Sequence, residues 1–133
     1  MKNLFFILLM ILFASCASHQ NIQIKEHGPG KDDDSVSYEL IVLDPGFESW
    51  FIANSKPTWS HTQVYYENWN QRYVQAWNYH SMGSRYSQLI EGNINYDPNI
   101  DYGLEINHKL FYYFQYVTHV LKIPIIPDGP RAF

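Results

Sequence analysis

Aromatic and polar residues follow a helical period between Trp59 and His80. At about 100° per residue, one arc of this segment collects six aromatic or small side chains: Tyr65, Tyr66, Trp69, Tyr73, Ala76 and Trp77. Polar residues such as Glu67 and Gln75 fall on the opposite side. The pattern predicts an amphipathic helix around which the rest of the chain packs.

Local signals mark both ends of this helix. Ser60 and Gln63 have the spacing of a capping box, and Trp59 precedes the cap where it can pack on Val64 as a hydrophobic staple. Gly83 is the expected C-cap. The sequence therefore predicts a helix that begins beside Ser60 and ends just before Gly83.

A second helical period runs from Pro98 to about Leu121, with Asp97 as the predicted N-cap. Its apolar arc contains Ile100, Leu104, Ile106, Leu110, Phe114, Val117 and Leu121. Its opposite face, which we expect to meet water, carries Asp101, Glu105, His108, Tyr112 and His119.

The remaining elements are shorter. Val36–Leu43 is rich in β-branched and apolar residues and is the one strong strand prediction. Asp44 and Pro45 predict a short helix that reaches about Asn54. A single strand needs partners for its backbone groups, and the weaker candidates are Ile22–Ile24, Leu89–Ile94 and Ile123–Ile126.

These elements predict an α-rich α+β fold, with two long helices and one short helix packed on one strand or a small sheet. The 133 residues have room for one domain, which we place at residues 36–126 with a tail at 127–133. The segment Ser84–Tyr96 fits a short helix, a weak hairpin or an ordered loop.

The start of the chain has the pattern of an export signal. Lys2 precedes an apolar run from Leu4 to Phe13, which is too short to span a membrane as a mature helix. Phe13-Ala14-Ser15-Cys16 then resembles a bacterial lipobox, although Phe13 stands where leucine is usual. Residues 1–15 are thus predicted to be a lipoprotein signal peptide, and residues 16–35 an acylated Cys16 with a flexible tether. The alternative is a secreted protein cut after Ala17.

The composition narrows the function classes. A net charge of −4 without a basic patch argues against nucleic-acid binding. Tyr, Phe and Trp, at 11, 8 and 4 residues, predict a core built from rings. No cofactor motif is present, and Cys16, the one cysteine, has no partner for an internal disulfide.

Five residues of the first long helix are candidates for ligand binding. Arg72 is the only lysine or arginine there, and a guanidinium beside ring faces suits an anionic or sugar ligand. The full set is Trp69, Asn70, Arg72, Tyr73 and Trp77. The alternative is a structural ion pair of Arg72 with Asp44, Glu48 or Asp97.

Asp101, Glu105 and His108 share one predicted helix face and contain a Glu-x-x-His spacing. A di-iron bundle requires that motif twice, so we predict an exposed face with a Glu105–Lys109 pair and no metal. A hydrolase needs a nucleophile beside a base, and no serine lies in a nucleophile elbow.

Three stretches carry a resemblance to a known family: Tyr38–Phe47, Tyr66–Val74 and Ile94–Gly103. They are similar to a family of small lipoproteins of Bacteroidota catalogued as a domain of unknown function, DUF6146. The likeness covers about Tyr38–Leu121. It implies a Gram-negative cell envelope and assigns no catalytic residues.

These observations predict a lipid-anchored envelope protein, held by Cys16 to the outer membrane and facing the periplasm. We expect a binding or interaction module whose partner is an envelope protein or cell-wall glycan. The alternative is an envelope enzyme that acts on glycan or peptide.

Overall fold

The computed structural model describes residues 22–29, 35–83, 85–90 and 92–133. In chain order it contains strands β1 (Ile22–His27) and β2 (Ser37–Val42), then helices α1 (Phe47–Asn54), α2 (Gln63–Ser81) and α3 (Leu104–His119). A 3₁₀ turn, Thr58–Ser60, precedes α2. The predicted α-rich α+β fold, with two long helices, one short helix and a small sheet, is confirmed. Cys16 and the predicted signal peptide lie outside the described residues.

The sheet consists of β1 and β2, which pair antiparallel with Ile24 opposite Leu40. Ile22 of β1 and Leu40 of β2 are buried. The strong strand prediction and the weak one at Ile22–Ile24 are both confirmed, whereas residues 123–126 and the described residues of 89–94 form no strand. Because β1 extends to His27, part of the segment predicted as tether belongs to the sheet.

Helix α3 is buried on every side for two turns. All residues from Leu110 to Val117 are buried, although the sequence predicts that one face meets water. The prediction is wrong for His108 and Tyr112, which are buried, and correct for Asp101 and Glu105, which are exposed. His108 and Tyr112 are amphipathic side chains, whose rings can pack in a core while their polar atoms keep hydrogen-bond partners.

The predicted start of α3 at Pro98 is also wrong. Asp97 Oδ1 accepts a hydrogen bond from the backbone N–H of Asn99 at 2.9 Å, which closes a local turn. The helix begins only at Leu104, after Gly103 with a φ of 84°. Asp97 therefore forms an Asx turn and does not cap a helix, although its position before Pro98 predicts a cap.

Helix α2 ends at Ser81, close to the predicted position, but its C-cap is Met82 and not Gly83, and its beginning also differs from the prediction. Thr62 is the N-cap, because its Oγ1 accepts from the backbone N–H of Tyr65 at 3.2 Å. The predicted capping box and staple are wrong. Trp59 and Val64 remain 79% and 62% exposed.

The last residues pack against the core instead of forming a free tail. Ala132 is buried and its N–H donates to Gln115 Oε1 at 3.1 Å. The ring of Phe133 meets Trp50 edge-on at 4.9 Å. Between α2 and α3, buried Ile90 and Ile94 anchor an irregular segment, so its described part is an ordered loop.

Candidate functional site

The five predicted ligand-binding residues of α2 divide between two environments. Asn70, Tyr73 and Trp77 are fully buried, whereas Arg72 is exposed and Trp69 is half-buried. The helical period explains the division, since Trp69 and Arg72 lie at the edge of the aromatic arc and the other three at its centre. Only Trp69 and Arg72 can meet a ligand at the surface.

Trp69 and Arg72 line a surface cleft of about 390 Å³ together with Tyr65 and Asn68. The guanidinium carbon of Arg72 lies 5.0 Å from the centre of the Trp69 ring, a cation–π arrangement. Tyr65 is fixed by stacking on His61, with ring centres 4.0 Å apart. We call these four lining residues the Trp69–Arg72 cleft.

No carboxylate lines the Trp69–Arg72 cleft, and within the described ranges Arg72 makes no ion pair. The predicted partners of Arg72 are engaged elsewhere. Asp44 accepts from Gly46, Glu48 pairs with Lys109, and Asp97 closes its own turn. The structural ion pair proposed for Arg72 is therefore absent from this part of the chain, and its donors face solvent.

Asn70 joins α2 to α3 inside the core. Its Nδ2 donates to the backbone carbonyl of Asn107 at 2.8 Å, and Tyr96 donates to Asn107 Oδ1 at 2.8 Å. Asn107 in turn donates to the carbonyl of Gly103 at 2.9 Å. Asn70 Oδ1 is buried without a hydrogen-bond partner among the described residues, but the bonds of Nδ2 hold the two helices in register and burial keeps the side chain away from a surface ligand.

Tyr73 and Trp77 are also structural. Gln115 donates to the Tyr73 hydroxyl at 3.2 Å, and the Tyr73 ring stacks on Phe114 at 4.9 Å. Burial raises the pKa of Tyr73 to about 12. The indole N–H of Trp77 donates to the carbonyl of Gly92 at 3.0 Å.

The three weak metal candidates do not converge. Asp101 precedes α3 and accepts from Gly103 and Gln63, Glu105 is exposed, and His108 is buried. No group of three acidic, histidine or cysteine side chains is placed to hold a metal ion anywhere in the described residues. Lys109 pairs with Glu48, so the predicted pair of Lys109 with Glu105 is wrong.

A second concavity of about 470 Å³ lies between the end of α1 and α3. We call it the His108 pocket, and its lining consists of Phe51, Ser55, Lys56, Pro57, Thr58, Glu105, His108 and Lys109. Sequence reasoning missed it because residues 55–58 read as a plain connection and His108 as exposed. A glutamate and a histidine one turn apart were the only signal.

The His108 pocket has no nucleophile and base in contact. His108 Nε2 donates to the carbonyl of Lys56 at 2.8 Å, and burial lowers the pKa of the ring, so the imidazole is neutral. Ser55 and Thr58 line the same pocket, but within the described part of the chain neither hydroxyl bonds to His108.

The fold and these two concavities define a small α-rich α+β domain with an aromatic surface cleft and a mixed-charge pocket. The chain belongs to the Family of unknown function (DUF6146), whose model matches residues 4–126. No curated protein and no solved structure matches the chain. In the described ranges no helix has the length and apolarity needed to cross a bilayer.

The buried His108 predicts a loss of stability in mild acid. Burial lowers the pKa of His108 below 6.5 in the folded protein. As the pH falls below about 6.5, the unfolded chain therefore binds a proton at this histidine more readily than the folded protein does, and the folded state loses stability. The free energy of unfolding, measured in urea, should be smaller at pH 5.5 than at pH 7.5. His108→Gln should reduce this difference.

Tyr112→Phe is the matched control, because Tyr112 OH accepts from the backbone N–H of the same residue, Lys56, at 3.0 Å and carries no group that titrates near pH 6. It should lower stability equally at both pH values. An unchanged pH difference in His108→Gln would contradict the assignment.

Proposed function

We propose that this protein is a lipid-anchored binding module of the bacterial cell envelope that holds cell-wall glycan in the Trp69–Arg72 cleft. The observation that carries the proposal is the exposed guanidinium of Arg72, which lies over the Trp69 ring in a cleft without a carboxylate. This cation is oriented by a ring instead of neutralised by an acid, so its hydrogen-bond donors remain free for a ligand.

The groups of the cleft complement the chemistry of a cell-wall glycan. The apolar faces of sugar rings can pack on Trp69 and Tyr65, which are rigid and already half-buried. Arg72 offers a planar fork of donors to a carboxylate or an acetamido oxygen, and the Asn68 amide offers both a donor and an acceptor. A few polar groups beside aromatic walls are typical of ligand sites.

Acylation of Cys16 would supply the membrane attachment. The support for it is the apolar run followed by Ala14-Ser15-Cys16, together with a family match that begins at residue 4 and so includes this segment. No acidic run directly follows Cys16, which favours an anchor that faces the periplasm over display outside the cell. Acyl chains contribute about 0.8 kcal/mol per buried CH₂ group.

The position of β1 limits how far the domain can stand from such an anchor. Ile22 is already paired in the sheet, so five residues lie between it and Cys16, whereas the sequence predicts a tether that reaches residue 35. The six Cα–Cα steps from Cys16 to Ile22 span at most roughly 20 Å. The domain would therefore work close to the membrane surface.

Binding to purified peptidoglycan sacculi tests the cleft. The full-length protein in detergent should pellet with sacculi, and Trp69→Ala and Arg72→Ala should each weaken binding about tenfold or more. The reason is the loss of a stacking face or of a charge-assisted hydrogen bond, the latter worth about 1.5–3 kcal/mol. Gln75→Ala, an exposed change on the same helix, should bind like the wild type. Equal pelleting of all four proteins would refute the proposal.

The mass of the protein from membranes of its native host tests the anchor. The mass should exceed that of the chain beginning at Cys16 by the mass of a lipid group. The Cys16→Ser variant should lack this increase and appear in the soluble fraction. An unmodified wild-type chain that begins at Ser18 would mean secretion without an anchor.

A further inference from the structure

Two side chains of α3 fix the backbone of the segment that lines the His108 pocket. His108 Nε2 donates to the carbonyl of Lys56 at 2.8 Å, and Tyr112 OH accepts from the N–H of the same residue at 3.0 Å. Both side chains are buried, so they fix the segment after α1 against α3. The pocket is therefore preformed, and its volume of about 470 Å³ lies in the range of small-molecule sites.

The charges that line this pocket are of both signs. Lys109 is engaged by Glu48, which leaves the ammonium of Lys56 and the carboxylate of Glu105. Within the described segments, neither Lys56 nor Glu105 forms an ion pair. One unpaired positive group and one unpaired negative group thus line the same cavity.

The remaining wall is apolar. Phe51 is half-buried and Pro57 is exposed, and both line the pocket beside the Lys109 stem. The rings of Phe51 and His108 lie edge to face at 5.6 Å, which fixes the orientation of the wall. An apolar ligand group placed there would displace water from the rings of Phe51 and Pro57.

We infer that the His108 pocket binds a zwitterionic amino acid or short peptide. Its ammonium lies beside Glu105, its carboxylate beside Lys56, and its apolar side chain against Phe51 and Pro57. A purely anionic ligand would face the Glu105 carboxylate, and a purely cationic one would face Lys56. A zwitterion satisfies both groups, and this binding does not depend on the Trp69–Arg72 cleft.

Isothermal titration of the full-length protein with the dipeptide alanyl-phenylalanine tests this inference. The free dipeptide should bind saturably, and N-acetylation, which removes the ammonium, should weaken binding at least about tenfold. Glu105→Gln should weaken binding of the free dipeptide by a similar factor. In the Glu105→Gln variant, N-acetylation should weaken binding little further, because both changes remove the same ammonium–carboxylate interaction.

Two control variants separate this pocket from the rest of the surface. Glu26→Gln removes an exposed carboxylate on β1, and Arg72→Ala disrupts only the cleft, so both should keep the wild-type affinity for the dipeptide. Absence of saturable binding, or an affinity that Glu105→Gln leaves unchanged, would overturn the inference. So would a loss of dipeptide binding in Arg72→Ala, which would place the peptide in the cleft.

Discussion

The complete burial of α3 from Leu110 to Val117 is the constraint on which the rest of the structure depends. A helix enclosed on all sides needs neighbours all round, and here α1, α2, β2 and the last residues of the chain supply them. Much of the contact is between rings, as in the pairs Phe47–Tyr113, Tyr66–Phe111 and Tyr73–Phe114. Each buried large side chain contributes about 1.5–3 kcal/mol, and α3 carries seven of the 20 buried hydrophobic residues in the described part of the chain.

Polar side chains inside this core determine how the helices align. Asn70 and Asn107 join α2 to α3, and Gln115 links Tyr73 on α2 to the backbone of Ala132. A buried amide contributes little net energy when it is satisfied, but loss of one partner costs about 1–3 kcal/mol. These bonds therefore penalise a helix that slides or rotates, a selectivity that ring packing does not provide.

The sequence predicts the elements whose determinants are local. The strand β2, the approximate span of α1 and the C-terminal end of α2 follow from β-branched residues, Asp44-Pro45 and Gly83 within a few residues, whereas the predicted cap of α2 is replaced by Thr62. The surroundings of α3 depend instead on the whole fold, since His108 and Tyr112 carry polar atoms that are buried only because Lys56 offers its peptide groups. The same holds for β1, whose weak pattern becomes a strand by pairing with β2. It also holds for Asn70, which the sequence predicts as a ligand-binding residue and which the fold pairs with Asn107 inside the core.

Two concavities of different chemistry lie on the described surface, the Trp69–Arg72 cleft on α2 and the His108 pocket against α3. Amide hydrogen exchange tests most directly whether α3 is the structural centre. The amides of Leu110–Val117 should exchange only through global unfolding, and therefore more slowly than those of β1 and of the exposed side of α2. Faster exchange in α3 than in α2 would contradict this account and would make the amphipathic helix α2 the organising element.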